Sequence, residues 1–482
     1  MSDIARSSTA PRAGQEAHHT RTVTLWSLVA ISYFSVAGGP EGTETIVRNA
    51  GAGLAVIGII MVGLVWSIPI ALMTAELSTM FPENGGYTLW VGAAFGARAG
   101  WLAGWLQFTS SAVDAALYPT LFVSYFKAAL GISGDTAVLD WAFKGFFLFA
   151  MLALNLSGIG KVGHGSVLMM LILLAPFAAV IVVAFSGVFT GITILQWSFS
   201  PAHWLEAPRT QSWGQFLVVL LWNMGWWEGA SVCAGEIKDV AKVFPRALAL
   251  VFLIVLVNYI LPILAFAGLD SDWDSYDNGY YISIARRVGG EHWGIVLGVA
   301  QCFSAAGLYT SAVVKTSYQL CGMSEQGMLP AVFSRRLASG APWLALMVSV
   351  AVTVALLPIE RFEAVVAVDM HLYCAAVLLE TAALLRLRAR APDRARPFRI
   401  PADGAWLCAF FLPAAAVSLF GMFWAAWDAL LAAATLLAAG AALVALLEAL
   451  RLARPRWFAG GSEGTREGPT GYEMRGERAV HV

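Results

Sequence analysis

The chain has 482 residues, of which 59% are hydrophobic and only 13% are charged, whereas soluble domains carry about 25% charged residues. This composition excludes an ordinary soluble protein and predicts a chain that lies largely within a lipid bilayer. The formal net charge of −1 says nothing about nucleic acid, but the sequence shows no basic DNA-binding face, so no nucleic-acid partner is predicted. It also gives no sign of an obligatory protein partner.

Twelve apolar segments are long enough to cross the hydrocarbon core of a bilayer, which is about 30 Å thick. We therefore predict an all-α polytopic membrane protein with one transmembrane domain, 21–452, between two disordered polar tails, 1–20 and 453–482. The predicted spans, numbered one to twelve, lie near residues 23–47, 52–77, 99–127, 141–160, 165–186, 212–236, 247–268, 294–316, 340–357, 364–386, 405–425 and 427–449.

Span one contains a helix-breaking sequence, Gly38-Gly39-Pro40-Glu41-Gly42. Proline has no backbone N–H, and glycine adopts backbone conformations that other residues rarely reach. The sequence therefore predicts that the helix unwinds here and frees backbone groups to line a cavity.

Span three carries polar residues on a single helical face. Gln107, Ser111, Asp114 and Tyr118 recur at i, i+4, i+7 and i+11. Uncharged polar residues in a membrane helix often serve only to hold helices together. An ionisable residue such as Asp114 points instead to a functional site.

Span six contains a carboxylate at a second break. Glu228 lies between Gly225 and Gly229, after Trp226 and Trp227. A charge near the bilayer centre costs at least about 2.5–3.5 kcal/mol on insertion scales, and such residues normally face a water-filled cavity or a partner. The pattern predicts an interrupted helix with an acid at a transport site.

Spans eight and ten also carry polar faces. Ser304, Ser311 and Lys315 share one face of span eight, and Asp369, Tyr373 and Glu380 share one face of span ten. Lys315 and Glu380 lie nearer the cytoplasmic ends, so the alternative is that they extend to the membrane surface.

The two interrupted spans are five apart in the chain, which indicates an inverted repeat. Paired interruptions at corresponding positions of two halves are the best sequence pointer to the site of such a transporter. We predict one repeat over about 23–186, a second over about 212–386, and two further helices over about 405–449. The substrate site is predicted between the two breaks.

Orientation follows from the positive charges of the loops. The densest cationic run, Arg386 to Arg399, follows span ten and is predicted to face the cytoplasm. Both termini then lie inside as well, and we expect a multi-pass protein of the plasma membrane.

No metal site, cofactor or enzyme activity is predicted. The five cysteines lie in or at the ends of predicted spans without the spacing of metal ligands. The sequence also lacks the HExxH, GxSxG and P-loop motifs.

Several segments in order resemble the amino acid–polyamine–organocation superfamily, and within it the polyamine uptake transporters of plants and protozoa. The resemblance runs from about Ser35 to Pro401. The segments that carry it are Val36-Ala-Gly-Gly-Pro, Trp66-Ser-Ile-Pro, Thr74-Ala-Glu76, Met80-Phe-Pro-Glu-Asn-Gly-Gly-Tyr87, Val113-Asp114-Ala-Ala-Leu-Tyr118-Pro119, Trp222-Asn223, Trp226-Trp227-Glu228, Ala234-Gly-Glu236, Tyr318-Gln-Leu-Cys-Gly-Met, Glu325-Gln-Gly-Met-Leu-Pro330, Leu372-Tyr373-Cys374 and Arg396-Pro-Phe-Arg-Ile-Pro401.

The resemblance implies a LeuT-like fold with a 5+5 inverted repeat, discontinuous helices 1 and 6, and helices 11 and 12 outside the repeat. It also implies uptake of di- and polyamines coupled to protons. It suggests substrate contacts at Asp114, Tyr118, Asn223, Trp227, Glu228 and Tyr373. The chain departs from the family pattern at Glu41, where an aromatic residue is usual, at Glu228, where aspartate is usual, and in span eight, where acids are common.

The residues agree with a cationic amine substrate. Separated carboxylates at Glu41, Asp114 and Glu228 suit the ammonium ends, and aromatic rings such as Trp226 suit the methylene chain through cation–π contacts of about 0.5–2 kcal/mol. Carbonyls freed at Gly38 and Gly39 can also accept from ammonium groups.

Two alternatives stay open. A carrier of cationic or neutral amino acids would have the same fold, although Pro40 removes an amide that could hold a substrate carboxylate and Glu41 would repel one. Glu41 could instead point to an outer vestibule. A transport-deficient nutrient sensor or membrane scaffold is the alternative from a different class.

Five residues are candidates for ion coupling or gating: Glu228, Asp114, Ser311, Glu236 and His164. A carboxyl group removed from water binds a proton more readily, so Glu228 or Asp114 can exchange one for the substrate cation. His164 is a further proton candidate. Glu236, with Glu76 and Lys238, is predicted to form an inner gate or structural ion pairs. Sodium coupling also stays open, through oxygen ligands such as Ser311.

Overall fold

The computed structural model describes residues 21–132, 137–186, 206–209, 211–359, 362–424 and 427–458. The predicted N-terminal tail, 1–20, and most of the predicted C-terminal tail lie outside these ranges. Within them the chain is almost entirely helical. The one extended pairing of the described residues is a parallel bridge between Val23 and Ile237.

The helices are numbered here in chain order. Their bounds are α1 (Leu25–Val36), α2 (Thr43–Ala50), α3 (Ala52–Val62), α4 (Ile68–Met80), α5 (Tyr87–Phe95), α6 (Ala97–Ala115), α7 (Leu117–Leu130), α8 (Ala137–Leu156), α9 (Ile159–Phe185), α10 (Trp213–Met224), α11 (Val240–Ala267), α12 (Tyr280–Gly289), α13 (Glu291–Glu325), α14 (Trp343–Leu356), α15 (Phe362–Arg390), α16 (Gly404–Trp424) and α17 (Trp427–Ala453). A π-helical turn, Gly63–Ser67, joins α3 to α4. Short 3₁₀ segments cover Gly229–Glu236, Trp273–Ser275, Ala331–Ser334 and Pro455–Trp457.

Nine segments of the described residues are long and apolar enough to cross a membrane. Predicted spans one, three and nine are not among the nine. Span one is divided between α1 and α2, span three is divided between α6 and α7, and span nine is the short helix α14. The chain is therefore an all-helical membrane protein, and its exact number of spans stays a prediction.

Burial separates the central helices from the peripheral ones. In the segment Trp213–Glu236, 89% of the most apolar stretch is buried inside the protein, whereas in α17 the buried share is 11%. Since α17 exposes apolar side chains such as Leu431, its surface suits contact with lipid. Helices α1, α10, α13 and α15 and their neighbours α6 and α9 make up the packed centre.

Both predicted interruptions are present. Helix α1 ends at Val36, and the chain does not return to helix until Thr43; Gly39 has φ +91° and Gly42 has φ +80°. Helix α10 ends at Met224, and Trp226 has φ +65°, a conformation that a bulky side chain rarely adopts. The break in α10 is thus held by its surroundings rather than by a glycine at the turning point.

The carbonyl groups freed at the end of α10 find side-chain donors, as burial requires. Ser67 Oγ donates to Met224 O at 2.8 Å, and Tyr259 OH donates to Asn223 O at 3.0 Å. Ser35 Oγ, from the end of α1, donates to Trp226 O at 3.1 Å. This last bond joins the two interrupted segments directly.

Candidate functional site

A small cavity lies between the two breaks. It receives side chains from α1, α7, α10, α11 and α13 and from the unwound segments themselves. Its lining consists of Ser35, Val36, Gly38, Glu41, Tyr118, Trp222, Asn223, Trp226, Tyr259 and Leu308.

Asp114 lies directly behind two of the lining residues and is itself buried. Tyr118 OH donates to the Asp114 carboxylate at 2.7 Å, as their i, i+4 spacing allows, and Trp222 Nε1 donates to Oδ1 at 3.0 Å. Lys315 Nζ lies 3.9 Å from Oδ2. The carboxylate therefore has two neutral donors and one cationic neighbour.

Glu228 shares one of its hydrogen-bond donors with a second acid. Gln107 Nε2 donates to Glu228 at 3.1 Å and also to Glu380 at 2.8 Å. Tyr373 OH donates to Glu228 at 3.0 Å and accepts the backbone N–H of Trp226 at 2.5 Å. Because both acids are fully buried and share one amide, holding both of them ionised would place two like charges close together away from bulk solvent.

The Trp226 ring is the centre of an aromatic and cationic contact. Its centroid lies 4.5 Å from that of Tyr373, and Lys315 Nζ lies 3.6 Å from the Trp226 centroid. An ammonium group over an indole face is attracted by the ring quadrupole. The wall beside Asp114 thus accommodates an alkylammonium group.

Glu41 lines the cavity and is only 3% exposed. It accepts a hydrogen bond from Ser304 Oγ at 2.5 Å through Oε2, while Oε1 has no hydrogen-bond partner. The single hydroxyl proton of Ser304 is shared between Glu41 and Gly38 O. The contacts of Glu41 favour the interpretation that it faces the site over the alternative that it faces an outer vestibule.

A family model described as amino acid permease matches residues 23–441, which is most of the chain. The chain belongs to the amino acid permease family. This finding confirms the resemblance drawn from the sequence motifs. Together with the apolar helices, it makes the chain an integral, multi-pass membrane transporter.

Among curated relatives, this permease is similar to proteins named as polyamine transporters. It is 36% identical over 400 residues to polyamine transporter PUT1 of Oryza sativa subsp. japonica, covering 82% of this chain and 73% of that protein. It is 35% identical over 385 residues to polyamine transporter RMV1 of Arabidopsis thaliana, covering 79% of this chain and 76% of the relative. A probable polyamine transporter of Arabidopsis thaliana is 35% identical over 384 residues, covering 79% and 75%.

Several predicted site residues do not line the cavity of the permease. Trp227 donates from Nε1 to Met224 O at 2.7 Å and packs on Phe252. Asn223 does line the cavity, but its side-chain amide donates to the backbone O of Val219, one turn back along α10. Gly39 is close to Leu173 and supplies only the turn.

The coupling candidates are also dispersed. Ser311 Oγ donates to Ile31 O at 3.1 Å and so ties α13 to α1. Glu236 accepts from Arg336 at 2.7 Å, an ion pair at the end of the broken segment. His164 is exposed, with Nδ1 2.7 Å from Gly160 O. Asp114 and Glu228 are the candidates that lie beside the cavity.

The sequence-based interpretation of Lys315 and Glu380 is corrected. Neither extends to the membrane surface, because Lys315 is 3% exposed and Glu380 is fully buried. Helical spacing places Lys315 on the same face as Ser311 and Glu380 on the same face as Tyr373. Spacing alone does not show how deeply a side chain is buried or which side chains it contacts. Gln107, which the sequence favours mainly as a contact between helices, bridges Glu228 and Glu380.

The described residues contain no group of three or more His, Cys, Asp or Glu side chains arranged to hold a metal ion. The polar groups in and beside the cavity are carboxylates, phenols, indoles, amides, serine hydroxyls and one lysine. Such a set can bind organic cations and carry protons.

Proposed function

We propose that this permease imports polyamines of the putrescine and spermidine class by proton symport with alternating access. The observation that carries the proposal is the lining of the cavity, in which Glu41 faces the aromatic side chains of Tyr118, Trp222 and Trp226. Asp114 stands directly behind two of these rings. A polyamine needs this combination, carboxylates for its ammonium groups and apolar walls for its methylene chain.

The names of the relatives support the same substrate class. Proteins about 35% identical over most of both chains are named polyamine transporters. Transfer of that substrate to this permease is part of the proposal.

Proton coupling is proposed to use Glu228. This acid and Glu380 share the donor Gln107, so binding a proton on one of them relieves the repulsion between them. Tyr373 connects Glu228 to the backbone of Trp226, a lining residue. A proton on Glu228 thus has a path of contacts to the substrate wall.

The proposed architecture is the twelve-helix, LeuT-like arrangement with repeats at about 23–186 and 212–386. Its support is the pair of interrupted segments, joined by the bond between Ser35 and Trp226. Alternating access would then change the packing of these segments around the cavity. A plasma-membrane location with both termini cytoplasmic belongs to the same proposal.

A second candidate is a carrier of cationic amino acids, and one observation favours it. Lys315 places a buried ammonium group beside Trp226, where it is able to pair with a substrate carboxylate. Against this candidate, Asp114 already neutralises Lys315, and Glu41 lines the same cavity.

The test is uptake by cells that lack their own polyamine uptake. Cells expressing the permease are expected to accumulate radiolabelled putrescine and spermidine above empty-vector cells, and excess unlabelled leucine or arginine should leave this uptake largely intact. Absence of amine uptake, together with accumulation of radiolabelled arginine or leucine, would overturn the polyamine proposal.

A further inference from the structure

Lys315 is a buried cation to which the proposed amine transport assigns no role. It lies on α13, 3% exposed, with Nζ 3.9 Å from Asp114 Oδ2 and 3.6 Å from the centre of the Trp226 ring. The carboxylates of Asp369 and Glu228 are also close enough to attract it. A lone buried ammonium would be costly, so these acids and the ring are what hold it there.

The surroundings of Lys315 have the features of a subsite for an alkylammonium ion. A carboxylate and the face of an indole both contact the ammonium group, and Trp226 is also part of the cavity lining. The lysine side chain is itself a four-carbon primary amine, so it has the chemistry of one end of putrescine. The protein thus already holds a group of the substrate's kind at this position.

The contact between Lys315 and Asp114 is held by charge rather than by a hydrogen bond. A separation of 3.9 Å exceeds the range of N–H···O bonds, and the oxygens of Asp114 already accept from Tyr118 and Trp222. Another ammonium group can therefore replace Lys315 without breaking these bonds.

The stem of Lys315 also rests on the break in span six. A methyl group added at Gly229 would lie 2.7 Å from Lys315 Cδ, so this glycine makes room for the stem. The stem of Lys315 is therefore packed closely against the chain just after the break. This contact links the lysine to the part of the chain that is proposed to rearrange during transport.

We propose that Lys315 is a displaceable internal cation. Its ammonium group occupies the subsite of Asp114 and Trp226 while no amine is bound, and an ammonium group of the incoming amine takes its place. The proposal rests on the proposed amine transport and adds a residue that sets affinity: the amine must compete with a cation tethered in its own site.

The test compares Lys315→Met with Lys144→Met in purified permease. Methionine keeps an unbranched stem and removes the charge. Lys144 is a matched control because it is also buried and lies over a tryptophan ring, Trp141, at 4.9 Å. Putrescine binding is measured by equilibrium dialysis, and the putrescine-induced rise in melting temperature is measured in parallel.

We expect Lys315→Met to bind putrescine at least about tenfold more tightly than the wild type and to show the larger rise in melting temperature. Lys144→Met should bind putrescine as the wild type does. Lys315→Arg, which keeps the charge, should show no gain in affinity.

If a folded Lys315→Met variant binds putrescine no more tightly than the wild type, the displacement of Lys315 is overturned. The proposed amine transport is not overturned by that result, provided that the wild type binds putrescine. If Lys315→Met does not fold alone, it should fold when putrescine is present during purification, and failure there also counts against displacement. If the wild type binds no putrescine but binds arginine, and Lys315→Met loses that binding, the polyamine function itself fails and the lysine is a carboxylate contact.

Discussion

At the scale of single residues, the pairing of Glu228 with Glu380 through Gln107 is the most consequential arrangement. One amide group serves two buried carboxyl groups. Tyr373 adds a second donor to Glu228 only. Through Tyr373, Glu228 is connected to the backbone of the lining residue Trp226, which is why the proposed proton carrier is Glu228.

Replacement of Glu228 by glutamine tests the proposed proton carrier. Gln107 and Tyr373 donate to different oxygens of Glu228, so the single amide oxygen of glutamine can keep one of the two bonds. The side chain keeps its size and the fold should persist, but the charge and the exchangeable proton are gone. We expect putrescine uptake to fall at least about tenfold, since a hydrogen bond to a charged group contributes about 1.5–3 kcal/mol, and the residual uptake to lose its dependence on pH. Initial uptake rates measured over a series of external pH values test both effects.

The matched control for this prediction is Glu291→Gln, at an acid that is 59% exposed and pairs with Arg286. This variant should transport as the wild type does. If Glu228→Gln keeps wild-type rates and the wild-type pH profile, Glu228 has no part in coupling.

Gly38 provides a steric test of the cavity. A methyl group at this position would overlap the side chain of Leu308 and would lie 2.7 Å from Ser304 Oγ. Overpacking of this kind costs about 1–3 kcal/mol, so Gly38→Ala should lower the melting temperature and reduce putrescine uptake about tenfold or more. Gly145→Ala is the control, because no atom lies within 4 Å of the added methyl group; equal behaviour of the two variants would show that Gly38 is not confined.

Some of the site could be predicted from the sequence because spacing alone determines it. The i, i+4 interval of Asp114 and Tyr118 leads directly to their hydrogen bond. The sequence could not show which of Trp226 and Trp227 lines the cavity. The answer depends on the left-handed backbone conformation of Trp226, and this position carries no glycine that would have indicated such a conformation. The ion pair of Lys315 with Asp114 could not be predicted either. Helical spacing shows which residues share a face of one helix, but it does not show which other helix packs against that face.

At the scale of elements, the two interrupted helices are joined at two levels. Ser35 contacts Trp226 at the breaks. Near residue 23, the N–H of Val23 donates to Glu236 O and the N–H of Lys238 donates to Val23 O, both at 3.0 Å. The breaks themselves could be read from glycine, proline and an intramembrane acid. These cross-links could not, because they join residues about 190 or more positions apart.

The ends of α4 and α15 are held by a buried ion pair. Arg388 donates to both oxygens of Glu76, at 2.6 and 2.7 Å, and the N–H of Ile400 adds a third bond at 2.9 Å. Arg396 lies 3.3 Å from the same carboxylate. The sequence predicts the arginine run as a signal of orientation, and its role as a partner of Glu76 is a finding of the structure.

Glu76→Gln should therefore destabilise the permease. It removes the Glu76 carboxylate from the largely buried guanidinium groups of Arg388 and Arg396, of which Arg388 keeps an ion pair with the exposed Asp403. Breaking a buried pair costs about 3–5 kcal/mol. A clear fall in melting temperature is expected, measured on protein purified in detergent.

The comparison for this prediction is the exposed pair of Arg98 and Glu448, where Glu448→Gln should leave the melting temperature unchanged because water replaces the lost contact. Equal stability of the two variants would mean that Glu76 does not hold α4 to α15.

At the scale of the whole molecule, composition and apolar runs were sufficient to predict a helical membrane protein, because only helices and closed barrels satisfy backbone groups in lipid. Helix α17, one of the two helices predicted to follow the inverted repeats, is the least buried of the nine candidate spans among the described residues. Span three was harder to predict as one helix. The structure divides it into α6 and α7, which meet at Ala116 and carry polar residues towards the cavity.

Orientation is a prediction at this scale. In a Cys408→Ala background, which removes the exposed cysteine among those described, Asp272→Cys and Asp393→Cys place thiols on exposed positions of opposite predicted sides. A membrane-impermeant maleimide should label the first variant in intact cells and the second only after permeabilisation, because positive loops stay in the cytoplasm. The reverse labelling pattern would invert the proposed orientation.

The cavity between the two breaks is proposed to carry an organic amine driven by protons. Uptake of radiolabelled putrescine into liposomes that contain only the purified permease, with and without an inward proton gradient, tests this. We expect accumulation above equilibrium when the outside is acidic, abolished by a proton ionophore and by Glu228→Gln. Liposomes that accumulate arginine or leucine but not putrescine, or putrescine uptake that ignores the proton gradient, would contradict it.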